Sequence, residues 1–257
     1  PQQLRELHAL RDAADATRDP KQQAIAHAAL AQFYIDVGKA AAAQRAAVPA
    51  LQYARDAGDV LGEAEALRLR SAIARLVGNV DESFRLVEDA FALVEPTPGA
   101  RPQTPVLVAR ATILDQKGTT LWNLGRLEQA IESYAEGLVI YRALGLARQE
   151  ARALHNMGLV FAALGEYEEA LAHYKSALKI DQSLGERSGV AVKLGNIGRC
   201  YADLGDLERA EGYLQRALAV AEQTGERATT SDVAVSLGQV LYTRGDFAGA
   251  LAQFERG

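Results

Sequence analysis

The sequence has very little cysteine, tryptophan or methionine, with a single residue of each in 257. One cysteine, Cys200, cannot form an internal disulfide, which excludes a disulfide-rich secreted domain and favours a reducing, cytoplasmic location. None of the four histidines stands three or four residues from another histidine or from Cys200, so no metal-ligand spacing is present. A run of about 18 apolar residues is also missing, so we expect no membrane-spanning helix.

Charge of one sign is not concentrated anywhere in the chain. The sequence carries 28 basic and 33 acidic residues, a net charge of −5, and these are interspersed. A nucleic-acid-binding protein normally shows a basic face, so we expect no direct contact with nucleic acid. The segment 195–198 resembles a glycine-rich nucleotide loop, but no strand precedes it and it recurs along the chain. With no acid, base or nucleophile constellation either, we predict that the chain is not an enzyme and holds no metal or cofactor.

What the chain does contain is alanine and leucine, which favour helix, and an internal repeat. Residues 154–158 reappear 40 residues later at 194–198, with weaker copies at 114–118 and 234–238. A second glycine follows seven residues after each of these segments. The second glycines, extended toward the N-terminus, are Gly38, Gly78, Gly125, Gly165, Gly205 and Gly245. Their spacing is 40 residues except for one step of 47, which predicts six repeats with one insertion of seven residues.

A third glycine divides each regular repeat into two halves of roughly 18 residues, as at Gly145, Gly185 and Gly225. Glycine just after an amphipathic stretch is the usual end of a helix, because it adopts the left-handed conformation without strain. Each repeat is therefore predicted to be a helix A, a tight turn, a helix B and a second tight turn.

These markers resemble the tetratricopeptide repeat family, which has Leu-Gly pairs, an aromatic residue and alanines at set positions. The fourth repeat supplies Leu154, Met157-Gly158, Phe161, Leu164-Gly165, Ala170, Tyr174 and Ala177, and the fifth supplies Leu194, Ile197-Gly198, Tyr201, Leu204-Gly205, Ala210, Leu214 and Ala217. The usual period is ~34 residues, and the longer period here is similar to that of Pins/LGN-type scaffolds and bacterial regulators. The resemblance implies an all-α fold, a right-handed superhelical α-solenoid of antiparallel helix pairs.

We predict one continuous solenoid with three segments. Residues 1–95 form a leading helix and two degenerate repeats, in which Ala31 and Ser71 replace the first glycine and Ser83 replaces the helix-B alanine. Residues 96–105 form a proline-rich loop, and residues 106–257 form four regular repeats. Pro49 lies inside a predicted helix, which it should kink or whose start it should shift. Both ends look cut from a longer array.

The resemblance also implies where a ligand would bind, because helix A lines the concave surface in that family. The residues that match inward-facing positions are Asp115, Gln116, Thr119, Trp122, Asn123, Arg152, His155, Asn156, Asn196, Arg199, Asp203, Ser236, Gln239 and Tyr242. The periodic series Gln116, Asn156, Asn196 and Ser236 could hold the backbone of an extended peptide, since amides both donate and accept. These side chains could equally bond a neighbouring helix or solvent.

The leading hypothesis is therefore a scaffold that binds a protein or an extended peptide in this groove. A second hypothesis is a ligand-sensing module of a larger bacterial signalling or transcription-regulatory protein. A third is self-assembly, in which the final helix, with Phe247, Leu251 and Phe254, stacks on a second copy as a homo-oligomer. Fold-level analogy carries most of the first two hypotheses.

Overall fold

The computed structural model describes residues 2–96 and 102–257, and within these ranges it contains thirteen α-helices and no strand. The helices are α1 (Gln2–Thr17), α2 (Pro20–Asp36), α3 (Ala40–Asp56), α4 (Val60–Leu76), α5 (Val80–Leu93), α6 (Thr104–Asn123), α7 (Leu127–Leu144), α8 (Ala147–Ala163), α9 (Tyr167–Leu184), α10 (Arg187–Asp203), α11 (Leu207–Thr224), α12 (Arg227–Thr243) and α13 (Phe247–Phe254). The all-α prediction is confirmed.

The chain divides into two compact units, an N-terminal unit of residues Pro1–Ile140 and a C-terminal unit of residues Tyr141–Gly257. In the N-terminal unit α2 packs on α3 and α4 on α5, and in the C-terminal unit α8 packs on α9, α10 on α11 and α12 on α13. Short turns join the helices of each pair, so the two helices run antiparallel. The predicted leading helix, residues 2–17, is confirmed as α1.

The turns depend on glycine and on capping side chains. Gly185 and Gly165, with φ angles of 71° and 79°, adopt the left-handed conformation that stops a helix. The next helix is then capped from its N-terminal side in several repeats. Asp206 accepts a hydrogen bond from the Arg209 backbone N–H, and Asp246 accepts one from the Gly249 N–H. One helix therefore ends and the next begins within a few residues, as the glycine spacing predicts.

In the C-terminal unit, each helix pair is held by a large side chain of helix B that lies over the first glycine of helix A. A methyl group at Gly158 would lie 2.6 Å from the Tyr174 ring, and one at Gly198 would lie 2.6 Å from Leu214. Tyr174 and Leu214 are almost completely buried, at 1% and 0% exposure. The glycine therefore lets the partner side chain reach the helix-A backbone, which fixes the separation of the two helices.

The N-terminal unit keeps this contact once and replaces it once. Gly118 of α6 receives the Tyr134 ring, and a methyl group there would lie 2.8 Å from it. In the degenerate repeat before it, the buried Ser71 hydroxyl bonds the Ser83 carbonyl oxygen at 2.8 Å and the Ser83 hydroxyl at 2.9 Å. The Ser83 hydroxyl also forms a hydrogen bond with the Thr120 hydroxyl, at 3.1 Å. Serine is thus accepted at these core positions because the hydroxyls satisfy one another.

Two proline predictions can be compared with the structure. Pro49 lies inside α3, which begins at Ala40, so the helix does not start at the proline, and the predicted kink stays a prediction. Within the predicted loop 96–105, residues 97–101, including Pro98, lie outside the described residues. Pro105 belongs to the first turn of α6, where a missing backbone N–H costs no helical hydrogen bond. Among the described residues, no helix is long and apolar enough to cross a membrane.

Replacing Gly158 by alanine tests the ring-over-glycine contact. We expect Gly158→Ala to lower the free energy of unfolding by roughly 1–3 kcal/mol, because the new methyl group overlaps the Tyr174 ring. Gly212→Ala is the matched control, since Gly212 lies in α11 with no atom within 4 Å of the added carbon. It should raise the stability by about 0.5–1 kcal/mol. Urea unfolding would measure both, and equal stabilisation by the two variants would contradict the packing described above.

Candidate functional site

The predicted ligand-facing residues fall on the first helix of four consecutive helix pairs. In the N-terminal unit α6 carries five of them, and in the C-terminal unit α8, α10 and α12 carry the other nine. Their spacing within each helix follows the 3.6-residue period, so the members on one helix share a stripe at the edge of the buried face. The exposed fraction of the side chain therefore differs among the predicted ligand-facing residues.

On α6, two of the five residues are buried and a third is bonded within the chain. Asp115 and Gln116 are buried, at 6% and 8% exposure, and the Gln116 amide lies 3.5 Å from the Ser71 hydroxyl. Thr119 donates to the Asp115 carbonyl oxygen and pairs with the Tyr134 hydroxyl, both at 2.9 Å. Trp122 is partly buried and Asn123 is exposed. These last two are the predicted α6 residues most open to a ligand.

The C-terminal unit brings His155, Asn196 and Arg199 together between α8 and α10. Asn196 is only 3% exposed, and its Nδ2 lies 3.5 Å from His155 Nδ1. The Arg199 guanidinium donates to Asn196 Oδ1. The His155 ring packs on the Tyr174 ring with 5.7 Å between centroids. A buried amide therefore bridges a histidine and an arginine that is itself exposed.

His155 is held in its neutral form. Burial, and then the positive charges of Lys193 and Arg199, lower its pKa to about 4. A neutral ring can leave Nδ1 free to accept a hydrogen bond, which matches the approach of the Asn196 amide. The cluster is therefore uncharged at its centre, and its positive charges lie around it.

Sequence reasoning missed a buried ion pair next to this cluster. Lys193 Nζ lies 2.9 Å from Asp181 Oδ2, and the two side chains are only 11% and 7% exposed. A methyl group at Gly189 would overlap the Asp181 carboxylate, so glycine makes room for it. A glycine stands at this position in only one other repeat, as Gly62, so the glycine at 189 was the available signal. The pair fixes α9 to α10 beneath the predicted groove.

The remaining predicted residues are more exposed. Arg152, Asp203 and Gln239 lie at the surface, and Asn156 is partly exposed. Tyr242 is 56% exposed. The Ser236 hydroxyl donates to the Asp232 carbonyl oxygen of its own helix at 2.9 Å. The four members of the amide series are thus unequal, since Gln116 and Asn196 are buried and bonded within the chain, and peptide binding by the series stays a prediction.

No group suited to metal or nucleophile chemistry occurs in this part of the molecule. Across residues 2–96 and 102–257, no three His, Cys, Asp or Glu side chains are placed to hold a metal ion. Cys200 is 3% exposed, and burial raises the pKa of its thiol to about 11. At neutral pH it is a protonated packing residue rather than a nucleophile.

A family model described as tetratricopeptide repeat matches residues 109–183 and 189–257, together more than half of the chain. The chain belongs to the tetratricopeptide repeat family. The matched ranges cover α7 to α13 and most of α6, the regular repeats in which glycine and a large side chain meet. The likeness to the Pins/LGN-type subgroup stays a prediction. Among curated protein sequences, none matches significantly.

Several solved structures share the fold of this tetratricopeptide repeat chain. BtubC from P. vanneervenii has a TM-score of 0.67 and 23% identity, covering 91% of this chain and 89% of its own. A signal transduction ATPase with numerous domains from Pyrococcus horikoshii is described with a tetratricopeptide repeat sensor. It has a TM-score of 0.69 and 16% identity, and the match covers 93% of this chain and 35% of its own. A Rap conjugation gene regulator of the plasmid pLS20, in complex with the Phr* peptide, has a TM-score of 0.63 and 14% identity. The match covers 90% of this chain and 73% of its own.

The neutral state of His155 has a measurable consequence for stability. Its folded pKa of about 4 is below the ordinary value of 6.5, so the unfolded chain binds the proton first as pH falls. The stabilisation is present above pH 6.5 and is lost between pH 6.5 and about 4. We expect His155→Gln to flatten this decline by roughly 1–3 kcal/mol in urea unfolding measured across the range. Parallel curves for wild type and variant would contradict the buried neutral state.

Proposed function

We propose that the chain binds a protein or an extended peptide along the helix-A faces of its repeats. The observation that carries this proposal is that the Arg199 side chain is held in place by a buried residue. Its guanidinium is exposed, yet it is held by Asn196, which is buried and also contacts His155. A guanidinium has five donors, so those not used by Asn196 remain to bind a carboxylate or a peptide carbonyl. An arginine held in one orientation loses less entropy on binding.

The groups around Arg199 suit a mixed polar ligand. Arg152 and Asn156 lie on α8, Asp203 lies on α10, and Gln239 lies on α12. Together they offer donors and acceptors at intervals set by the repeat, which suits the alternating N–H and C=O groups of an extended backbone. Tyr242 adds an exposed ring that could pack on an apolar side chain. In the N-terminal unit, Trp122 and Asn123 could play the same role.

The fold relatives support this proposal at the level of ligand class. One is described in complex with the Phr* peptide, and another with a tetratricopeptide repeat sensor. The second description also favours the sensor alternative, in which the chain reports ligand binding to other domains. A full-length sequence containing a DNA-binding or nucleotide-switch domain would separate the sensor from a plain scaffold.

The groove proposal is tested by selecting peptides from a displayed random library with the wild-type chain. Fluorescence anisotropy then gives the affinity of each selected peptide for variants. We expect Arg199→Ala and Asn156→Ala to weaken binding at least roughly tenfold each, because each removes a polar contact from the groove. Lys179→Ala on α9 is the matched control, since Lys179 is exposed on a second helix. Equal affinity for all three variants would place the peptide elsewhere.

A second function, self-association, is favoured by the exposure of α13. Leu251 and Phe254 are 59% and 40% exposed, whereas Leu171 and Tyr174, at the equivalent positions of α9, are 6% and 1% exposed. Phe247 adds a ring that is 63% exposed. This face has the composition of a helix-pair interface, so we propose that a second copy of the chain covers it.

Light scattering across a dilution series tests self-association. We expect the mass of the wild-type chain to rise toward that of a dimer with concentration, because covering this face removes apolar area from water. Leu251→Glu should remain monomeric throughout, since a charge would then be buried at the contact. A wild-type chain that is monomeric at every concentration rules the proposal out.

A further inference from the structure

An aromatic pair joins the two helices in two of the four regular repeats, the fourth and the fifth. Phe161 of α8 stacks on His173 of α9 with 5.1 Å between ring centroids. One period later, Tyr201 of α10 stacks on Tyr213 of α11 at 5.5 Å. Each pair joins helix A to its own helix B. The two rings therefore fill the same space in both repeats.

The third repeat lacks this pair and has a cavity in its place. The equivalent residues, one period earlier, are Leu121 of α6 and Ser133 of α7. Both line an open-sided cavity with a volume of about 450 Å³, inside the range of small-molecule sites. The cavity lies over α6, between α5 and α7, and belongs wholly to the N-terminal unit.

A lysine lines this cavity at a position that is apolar in the later repeats. Lys117 precedes the first glycine of its repeat, where Met157, Ile197 and Leu237 are buried at 6%, 0% and 3% exposure, and the degenerate second repeat has Arg70 there. The Lys117 side chain is 21% exposed, and its Nζ lies 2.8 Å from Glu88 Oε1. Placing a charge at a core position costs free energy unless the charge is neutralised, and Glu88 supplies that neutralisation.

A second cation stands where the later repeats have an acidic residue. Arg126 follows the turn glycine, where the later repeats have Glu166, Asp206 and Asp246. Its guanidinium lies 5.2 Å from the centre of the Phe84 ring. It makes no ion pair with any residue that the structure describes. This charge is held over an aromatic wall and is available to a ligand.

A third cation has an unused donor. Arg110 lies 4.2 Å from the centre of the Phe91 ring and pairs with Glu136 at 2.7 Å. Its side chain is 14% exposed, and its buried Nη1 has no hydrogen-bond partner among the described residues. A buried donor without a partner is unfavourable. The sixth repeat also lacks the aromatic pair, but it has none of the three cations.

We propose that this cavity binds a small aromatic carboxylate, whose ring occupies the space of the missing aromatic pair. Leu114, Leu121 and the two phenylalanine rings give it apolar walls, and the three cations also line it. Glu88 neutralises Lys117, so among the described residues the donors left for a ligand are the Arg110 Nη1 without a partner and the Arg126 guanidinium without an ion pair. Two guanidinium donors beside apolar walls favour an apolar ring that carries one carboxylate over a phosphate, which has no apolar part. None of the predicted ligand-facing residues of helix A lines this cavity.

Calorimetric titration of the full chain tests the site with three probes: indole-3-acetate, its neutral amide indole-3-acetamide, and inorganic phosphate. We expect indole-3-acetate to bind at least roughly tenfold more tightly than either of the others. Leu121→Tyr with Ser133→His restores the ring pair of the regular repeats and should abolish binding. Its thermal unfolding midpoint, at or above that of wild type, would show that the variant folds.

Arg126→Gln changes only an exposed charge and should weaken indole-3-acetate binding several-fold without affecting folding. Arg142→Gln is the matched control, since Arg142 is an exposed arginine of the C-terminal unit. No binding of indole-3-acetate at roughly 10 mM overturns the proposal. Equal affinity for the acid and its amide, or unchanged affinity in the filled variant or in Arg126→Gln, overturns it as well.

Discussion

The contact between a large side chain of helix B and the first glycine of helix A determines the geometry of each regular repeat. In three repeats the partner is a ring, Tyr134, Tyr174 or Phe254, and in one it is Leu214. Because the side chain rests on helix-A backbone, even one methyl group would separate the helices. The alanines of helix B, buried at 0–2% exposure at 130, 170, 210 and 250, allow the same approach from the other side. Helix separation is thereby set locally, pair by pair.

Helix bounds could be predicted because their causes are local. A glycine that ends a helix and an acidic residue that caps the next act within one turn of chain, and the bounds of α11, which Asp206 caps and Gly225 ends, follow from them. The degenerate repeat was harder. The substitutions at Ser71 and Ser83 were visible, but their hydroxyl bonds extend to Thr120, across 37 residues of sequence. Sequence periodicity shows that a contact has changed and does not show which distant group replaces it.

The candidate site was predictable as a set of helix positions, and its exposure was not. Asn156 and Asn196 occupy the same place in successive repeats, yet only Asn196 is buried. Asn196 is contacted by His155 of the preceding repeat and bonded by Arg199 of its own helix. The exposure of a polar residue at the edge of a buried stripe therefore depends on which side chains of its own helix and of the neighbouring helix reach it. The Lys193–Asp181 pair was missed for the same reason, because its partners come from different helices.

The third repeat shows how a packing rule and a binding site can coexist. Its glycine contact with Tyr134 is intact, so the helix pair keeps its geometry without the outer aromatic pair. The outer positions are then free to vary, and Lys117 and Arg126 carry positive charge where the later repeats have apolar and acidic residues respectively. Charges at such positions do not improve packing. Lys117 lies over the Phe91 ring and pairs with one carboxylate, that of Glu88, and Arg126 lies over the Phe84 ring. Several residues around one cavity differ from their equivalents in the later repeats. Binding of a ligand explains such shared differences better than unrelated substitutions do.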